Sequence, residues 1–204
     1  MSEIKQGELE VVRSKKSQLT IQIAGGAIFG ALSTVLAIVL SPIINASRIQ
    51  AWGFALFDPT SWVWIISFLI FGPIAGVISS VVGSFGLLIM DPTGIGPAFK
   101  FTATISLIIV PTLLLKLWKA GTTNSKKLKD PKKYIITGVI SIVVRIGVML
   151  IFNIVFFLVV VGFVDLPFVV TVVLIVNTYT SVLDLTIPYL LVFLPKLDEK
   201  FEFW

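Results

Sequence analysis

Apolar residues form long runs along most of the chain, and the polar positions are concentrated between these runs. The runs predict six helices, at about residues 18–44, 60–71, 73–90, 98–118, 134–161 and 168–193. A polar segment, residues 1–17, precedes them, and a polar tail, residues 195–204, follows. Because the runs have helical length and do not alternate between apolar and polar positions, the pattern predicts an all-α bundle rather than a β-barrel.

The second and third runs are joined by Gly72 and Pro73, which predict a helical hairpin. Proline suits the first turn of a helix, and glycine tolerates the backbone angles of a sharp turn. The second run is too short to cross a ~30 Å hydrocarbon core at ~1.5 Å per residue, so a flank must complete it or the bilayer must thin there. Small residues that permit close helix contact recur every four positions along the return helix: Gly72, Gly76, Ser80 and Ser84.

The composition identifies an integral membrane protein. Of 204 residues, 56% are hydrophobic and 13% are charged, against about 25% charged in soluble proteins. The membrane domain is predicted to cover residues 18–194, with no separate soluble domain. Histidine and cysteine are absent, which removes thiol nucleophiles, the usual zinc ligands and the commonest general base near neutral pH. We therefore expect no enzyme, no metal and no cofactor.

The positions of the basic residues predict the orientation in the membrane. The N-terminal segment contains four Lys and Arg residues, residues 116–133 contain seven and the tail contains two, which together are thirteen of the sixteen in the chain. With six spans, all thirteen lie on one side, and the positive-inside rule makes that side cytoplasmic. Both ends are then cytoplasmic in a multi-pass plasma-membrane protein, and the net charge of +5 is explained without nucleic acid.

Small residues also form a strip on the first predicted helix. Gly26, Ala27, Gly30 and Ala31 repeat at four-residue spacing, which allows another helix to approach closely. Two interpretations stay open: the strip docks a membrane partner, or it packs inside the bundle.

Arg145 and Asp184 are the two charges that lie deepest in the predicted bundle. Counted from the cytoplasmic ends of their helices, both lie roughly 14 to 17 Å deep at ~1.5 Å per residue. An unpaired charge at this depth is costly, so the two side chains are predicted to pair. A direct role in ligand binding or gating is the alternative.

A ligand site is predicted in the outer half of the bundle, under the loop of residues 45–61. Asn153 and Asn177 lie at a similar level, about 10 to 12 Å above the charged pair. Lys100 reaches either a ligand or the membrane interface. Three aromatic residues of the loop are predicted to stack on a planar heterocycle: Trp52, Phe54 and Phe57. The alternatives are an interfacial aromatic belt and asparagines that only join helices to each other.

Residues 68–86, FLIFGPIAGVISSVVGSFG, follow a first helix rich in small residues and precede a short turn and a fourth helix. In this order of features the chain resembles the substrate-binding S components of energy-coupling factor (ECF) transporters. The resemblance implies a six-helix protein that captures a vitamin, a related micronutrient or a metal ion from outside. It further implies assembly with a transmembrane coupling protein and two ATPase subunits, with the Ala27-x-x-x-Ala31 strip contacting the coupling protein.

Within this family, the absence of His and Cys, together with an N-terminus that lacks a Met-His start, disfavours the nickel and cobalt members. The aromatic loop and residues 96–101, GPAFKF, resemble the riboflavin-type members. Riboflavin or another flavin is therefore slightly preferred, and thiamine, its precursors and other vitamins remain open.

Two other functional classes compete with this prediction. A self-sufficient secondary transporter requires an internal repeat or ion-coupling acids at mid-depth, and only Asp184 lies deep. An intramembrane enzyme requires a cluster of acidic residues, and the other acidic residues lie at helix ends and turns. The sequence therefore predicts a ligand-capture subunit, surrounded by membrane lipid, that lacks its own ATPase.

Overall fold

A computed structural model describes residues 2–49, 54–118, 127–162 and 165–200 of the chain. The described residues are mostly helical, in the order α1 (Ser2–Val39), α2 (Ser41–Ala46), α3 (Thr60–Phe71), α4 (Pro73–Leu87), α5 (Ile95–Leu117), α6 (Pro131–Phe156), a π-helical end to α6 (Phe157–Val161), α7 (Leu166–Phe193) and α8 (Leu197–Lys200). Between α2 and α3, β1 (Arg48–Ile49) and β2 (Phe54–Ala55) form a small antiparallel ribbon in which Arg48 is paired with Ala55.

Four helices among the described residues are long and apolar enough to cross a membrane: Lys16–Val39, Ile95–Leu117, Pro131–Val161 and Leu166–Phe193. The apolar helices α3 and α4 have 12 and 15 residues, so each is shorter than a ~30 Å hydrocarbon core requires. The predicted all-α class is confirmed, and four such helices are typical of a membrane-embedded protein.

The hairpin between α3 and α4 turns at Gly72, as the sequence predicts. Gly72 has φ 108° and ψ −179°, a conformation that a residue with a Cβ atom rarely adopts. Several of the other helix ends shift by one to three residues from the prediction, and the largest differences are in the first predicted helix. Helix α1 begins at Ser2, so the polar N-terminal segment continues the helix, and the first apolar run divides at Leu40 because Pro42 lies in the first turn of α2.

Helix α3 lies at the centre of the bundle. Nine of its twelve residues are buried, and it contacts α1, α4, α5 and α7. Helix α6 packs between α5 and α7. The main core cluster is formed by residues of α3 with apolar side chains of its neighbours, among them Ile65, Phe68, Leu69, Leu107, Ile108 and Leu185.

The bundle has two ends, because α1 and α3 to α7 run in alternating directions. The ribbon end carries β1, β2 and the turn between α4 and α5. The hairpin end carries Gly72, the N-terminus of α1, the loop before α6 and the C-terminus of α7. At the hairpin end the loop before α6 is bonded to α8 and α7, since Lys129 Nζ lies 2.6 Å from Glu199 Oε1 and the Tyr189 hydroxyl donates to the Lys129 carbonyl at 2.9 Å.

Helices α1 and α4 approach each other closely through glycines. A Cβ atom at Gly26 would lie 2.8 Å from the Ala75 carbonyl oxygen, and one at Gly30 would lie 2.6 Å from Val82 Cβ. Real Cβ atoms do not approach other atoms this closely. Glycine is therefore required where α1 crosses α4, and this contact lies inside the protein.

Replacement of Gly83 by alanine is expected to destabilise the bundle. The added Cβ would overlap the Trp64 Nε1 and Ser33 Oγ atoms and lie 2.7 Å from Trp64 Cε2. Such overpacking typically costs about 1–3 kcal/mol. The matched control is Gly147→Ala on α6, where no atom lies within 4 Å of the added Cβ. Thermal unfolding of the purified variants in detergent should show a lower Tm for Gly83→Ala only, and equal Tm values would contradict the close packing.

Candidate functional site: a buried polar layer

Polar side chains from five helices meet where α3 begins, inside an otherwise apolar bundle. We call this group the polar layer, and its members are Ser33, Asp58, Thr60, Ser61, Trp64, Lys100, Arg145, Asn177, Thr180 and Asp184. Helix α3 supplies the centre, since its first residues, Thr60 and Ser61, are 1% and 4% exposed. The layer therefore joins the start of a short central helix to the longer helices around it.

Arg145 of α6 connects to three side chains of α7. Its Nη1 donates to Asp184 Oδ2 at 2.8 Å, its Nε to Asn177 Oδ1 at 3.1 Å and its Nη2 to Thr180 Oγ1 at 2.8 Å. The three acceptors are three, four and seven residues apart, which places them on one face of α7. Arg145 and Asp184 are 5% and 4% exposed. The pair that depth alone predicts is thus present, and it is buried.

The second oxygen of Asp184 binds the start of α3. Ser61 Oγ donates to Asp184 Oδ1 at 2.7 Å. Because the N-terminus of a helix carries a partial positive charge, a carboxylate at this position is favourable beyond its hydrogen bond. Asp184 therefore has one partner on α6 and one on α3, and it fastens three helices together.

Asp58 and Lys100 form a second ion pair beside the first. Lys100 Nζ contacts Asp58 Oδ2, while Asp58 Oδ1 accepts from Thr60 N at 3.2 Å and from Thr60 Oγ1 at 2.7 Å. Lys100 and the two Thr60 donors thus compensate for the burial of the Asp58 carboxylate. Lys100 Nζ also lies 5.9 Å from the centre of the Trp64 ring. Lys100 therefore has its partners inside the protein.

Trp64 connects the polar layer to α1. Its side chain is fully buried, and Nε1 donates to Ser33 Oγ at 2.8 Å. Ser33 in turn donates to the Gly30 carbonyl at 2.7 Å. An indole N–H buried in an apolar bundle needs an acceptor, and Ser33 provides it.

The two asparagines predicted to line a ligand site have different surroundings. Asn177 Oδ1 accepts from Arg145, whose guanidinium also donates to Asp184 two turns further along α7. The Arg145 side chain therefore connects the two predicted polar levels. Asn153 is 4% exposed, and its Nδ2 donates to the Met149 carbonyl of its own helix at 2.7 Å.

The aromatic residues of the predicted site are only partly described. Trp52 lies outside the described residues. The backbone of Phe54 belongs to β2, where it is paired with Ile49. The Phe57 ring packs edge-on against Trp62 with centroids 5.4 Å apart. The structure thus brings Phe57 close to the first turn of α3, and the stacking of the aromatic residues on a heterocycle stays a prediction.

The four residues of the predicted docking strip divide between the inside and the outside of the bundle. Gly26 and Gly30 are buried against α4, so their assignment to a docking surface is corrected. Ala27 and Ala31 are exposed, with Ile28 (65% exposed) and Val35 (55%) beside them. Adjacent positions on a helix point about 100° apart, which is why one small-residue pattern serves both faces.

The polar layer has the chemistry of a structural connection. Its two cations, Lys100 and Arg145, are balanced by Asp58 and Asp184, and each of the four has a partner in the layer. Two cavities described by the structure lie elsewhere: one of about 10 Å³ beside Tyr134 and Leu185, and a groove of about 280 Å³ between α4 and α5.

Six members of the layer are not singled out by the sequence pattern, namely Ser33, Asp58, Thr60, Ser61, Trp64 and Thr180. One signal was available: Asp58 belongs to an Asp-Pro turn directly before an apolar run, where a carboxylate is favoured by the helix N-terminus. A further signal is the placement of Thr180 between Asn177 and Asp184 on one helix face. Serines in apolar helices give no comparable signal, because their hydroxyls commonly bond to their own helix.

Removal of Asp184 is expected to be more damaging than removal of the whole pair. Asp184→Ala leaves a buried, uncompensated guanidinium and should cost about 3–5 kcal/mol, whereas Arg145→Met with Asp184→Leu restores an apolar contact and should recover much of this loss. Lys133→Met, which removes a half-exposed charge from the same helix, is the control. Thermal unfolding in detergent measures the four proteins. If the double variant is less stable than Asp184→Ala, the ion pair is not the main contribution of Arg145 and Asp184 to stability.

Comparison of the chain with models of protein families, with curated proteins and with solved structures gives no match. The likeness to S components therefore rests on the motifs, the predicted topology and the order of the features in the sequence.

Proposed function

We propose that this protein is the substrate-capture subunit of an ECF-type importer, which binds a small water-soluble vitamin outside the cell and docks on a coupling protein. The observation that carries the proposal is the exposure of Ala27 and Ala31 on an apolar face of a long helix. These are the residues that match the family's docking motif. Support also comes from the G-P turn at Gly72, which joins two short apolar helices in the order typical of the family.

The proposed topology has six spans and both ends in the cytoplasm. The four long helices supply four of the spans, and α3 and α4 supply the other two. Since α3 and α4 run in opposite directions, they return the chain to the side on which they began, whether or not each crosses fully. The side of both termini therefore does not depend on their length. The basic hairpin end is cytoplasmic by the positive-inside rule, in the plasma membrane.

The proposed docking surface is formed by Ala27 and Ala31 with their exposed neighbours on α1. In lipid no hydrophobic drive brings helices together, so association depends on close packing, and small side chains allow backbones to approach. The glycines on the opposite face hold α1 against α4. Partner binding would consequently use a face that is not needed for folding.

The proposed ligand site lies in the half of the bundle nearer the ribbon end, which faces outward in this topology. Among the described residues, Asn153 is a buried amide that is not part of the polar layer. Phe57 and the ribbon lie at the same end of the bundle. A mostly apolar site with a few orienting polar groups suits a planar heterocycle. Lys100 already has an ionic partner inside the protein, and Asn177 has a polar one. A ligand that contacts either residue would therefore bind alongside that partner. Riboflavin or another flavin is the preferred candidate, and thiamine, its precursors and other vitamins remain open.

Enlargement of the two alanines should prevent assembly without unfolding the protein. Ala27→Trp with Ala31→Trp widens the exposed face, so co-purification with the coupling protein and ATPases should be lost while Tm stays close to that of the unmodified protein. Val139→Trp with Val143→Trp places the same side chains at the same spacing on α6, where both positions are exposed. This control should assemble normally. Normal assembly of the alanine variant would refute the docking surface.

Binding of riboflavin or thiamine should be detectable with the isolated subunit. Titration of the purified protein, followed by tryptophan fluorescence and by equilibrium dialysis, should give saturable binding of one of them. Asn153→Ala should weaken this binding at least tenfold, because a buried hydrogen bond is lost, whereas Thr112→Ala at the other end of the bundle should not. Asn177→Ala and Trp52→Ala test the remaining predicted contacts. A ligand bound equally well by all four variants would exclude this location.

A further inference from the structure

The groove between α4 and α5 is the larger of the two cavities described above, and the proposed function does not use it. It has a volume of about 280 Å³, opens at the side of the bundle, and is lined by Pro73, Ile74, Val77, Ile78, Ile108, Ile109, Thr112 and Leu113. Ile74 and Ile109 are each 43% exposed and Leu113 is 51% exposed. The Thr112 hydroxyl is bonded to the Ile108 carbonyl of its own helix at 2.7 Å, so the wall is effectively apolar.

A cation lies at one end of this groove. Ile109, Thr112 and Leu113 share one face of α5, and Lys116 continues that face three residues beyond Leu113, about 4.5 Å further along the axis. Lys116 is exposed and belongs to the last turn of α5. Helix α4 begins at Pro73, beside Leu113, so α4 does not cover Lys116. The groove thus combines an apolar trough with a positive charge at its hairpin end.

Further lysines follow Lys116 in the sequence. Residues 116–133, which follow directly from the groove-lining part of α5, contain seven lysines and one aspartate. Basic clusters next to a membrane span attract anionic lipid headgroups, at about 1 kcal/mol for each lysine or arginine near the surface. A neutral lipid would gain no net electrostatic attraction from these lysines. An anionic lipid would gain this attraction in addition to the free energy of burying its acyl chain.

We propose that the groove between α4 and α5 binds one acyl chain of an anionic phospholipid, with the phosphate at Lys116. The occupant follows from the two properties of the site: an apolar trough open to the side accepts a hydrocarbon chain, and a cation at its end pairs with a phosphate. With the orientation proposed above, this lipid belongs to the cytoplasmic leaflet, where anionic lipids are abundant. The site is separate from the proposed vitamin site and from the exposed face of α1.

Native mass spectrometry of the purified protein titrated with phosphatidylglycerol or phosphatidylcholine tests this site. The unmodified protein should retain phosphatidylglycerol more tightly. Lys116→Gln should reduce that preference about fivefold, which corresponds to about 1 kcal/mol. Lys16→Gln removes an exposed lysine of α1 at the same, hairpin end of the bundle. It should change the preference for phosphatidylglycerol less. Leu113→Trp, which fills the groove, should weaken binding of both lipids, whereas Leu191→Trp, at a similarly exposed position on α7, should not.

Equal retention of the two lipids by the unmodified protein would overturn the proposal. An effect of Lys116→Gln no larger than that of Lys16→Gln would overturn the assignment of the headgroup. If Leu113→Trp behaves like Leu191→Trp, the groove is not the acyl-chain site. None of these outcomes depends on vitamin binding or on assembly, so failure here is distinguishable from failure of the proposed function.

Discussion

The burial of the first turn of α3 is the constraint on which the rest of the structure depends. Asp184, which contacts this turn, lies 18 residues after the start of α7, or ~27 Å along that helix at ~1.5 Å per residue. Helix α3 therefore begins deep between longer helices, with polar residues at its start and backbone N–H groups that have no acceptor within the regular helix. Polar groups in a membrane interior require partners from the protein. Asp58, Asp184, Lys100 and Arg145 satisfy this requirement as two balanced ion pairs.

The contact between α1 and α4 depends on a different kind of interaction. Gly26 and Gly30 bring the two backbones so close that a single added Cβ at either position would overlap α4. Because lipid tails are as apolar as leucine, large side chains would gain little from association here, and dispersion contacts between closely spaced backbones stabilise the pair. Trp64 and Ser33 add one hydrogen bond between α3 and α1. Close packing and a small number of polar links thus hold the periphery to the central helix.

The sequence predicts the helices better than it predicts their partners. The hairpin at Gly72 follows from backbone chemistry that is local to Gly72 and Pro73, and the prediction agrees with the structure. The pairing of Arg145 with Asp184 follows from depth, because few partners exist inside a membrane. The location of Gly26 and Gly30 could not be predicted in this way, since a small-residue strip fits an internal and an external contact equally well. The ion pair of Lys100 with Asp58 depends on how α3 and α5 pack together, which periodicity does not describe.

The same contacts bear on how the proposed docking face and the polar layer relate to each other. Ala31 is adjacent to Gly30, whose carbonyl binds Ser33, and Ser33 binds Trp64, which lies beside Lys100. A continuous path of contacts is not by itself evidence that two sites are coupled, because coupling requires an element with two alternative arrangements. Each link in this path is instead a fixed support: a glycine contact, a fully buried indole and a balanced ion pair. This architecture favours a rigid α1, which would present Ala27 and Ala31 to the proposed partner in one constant geometry.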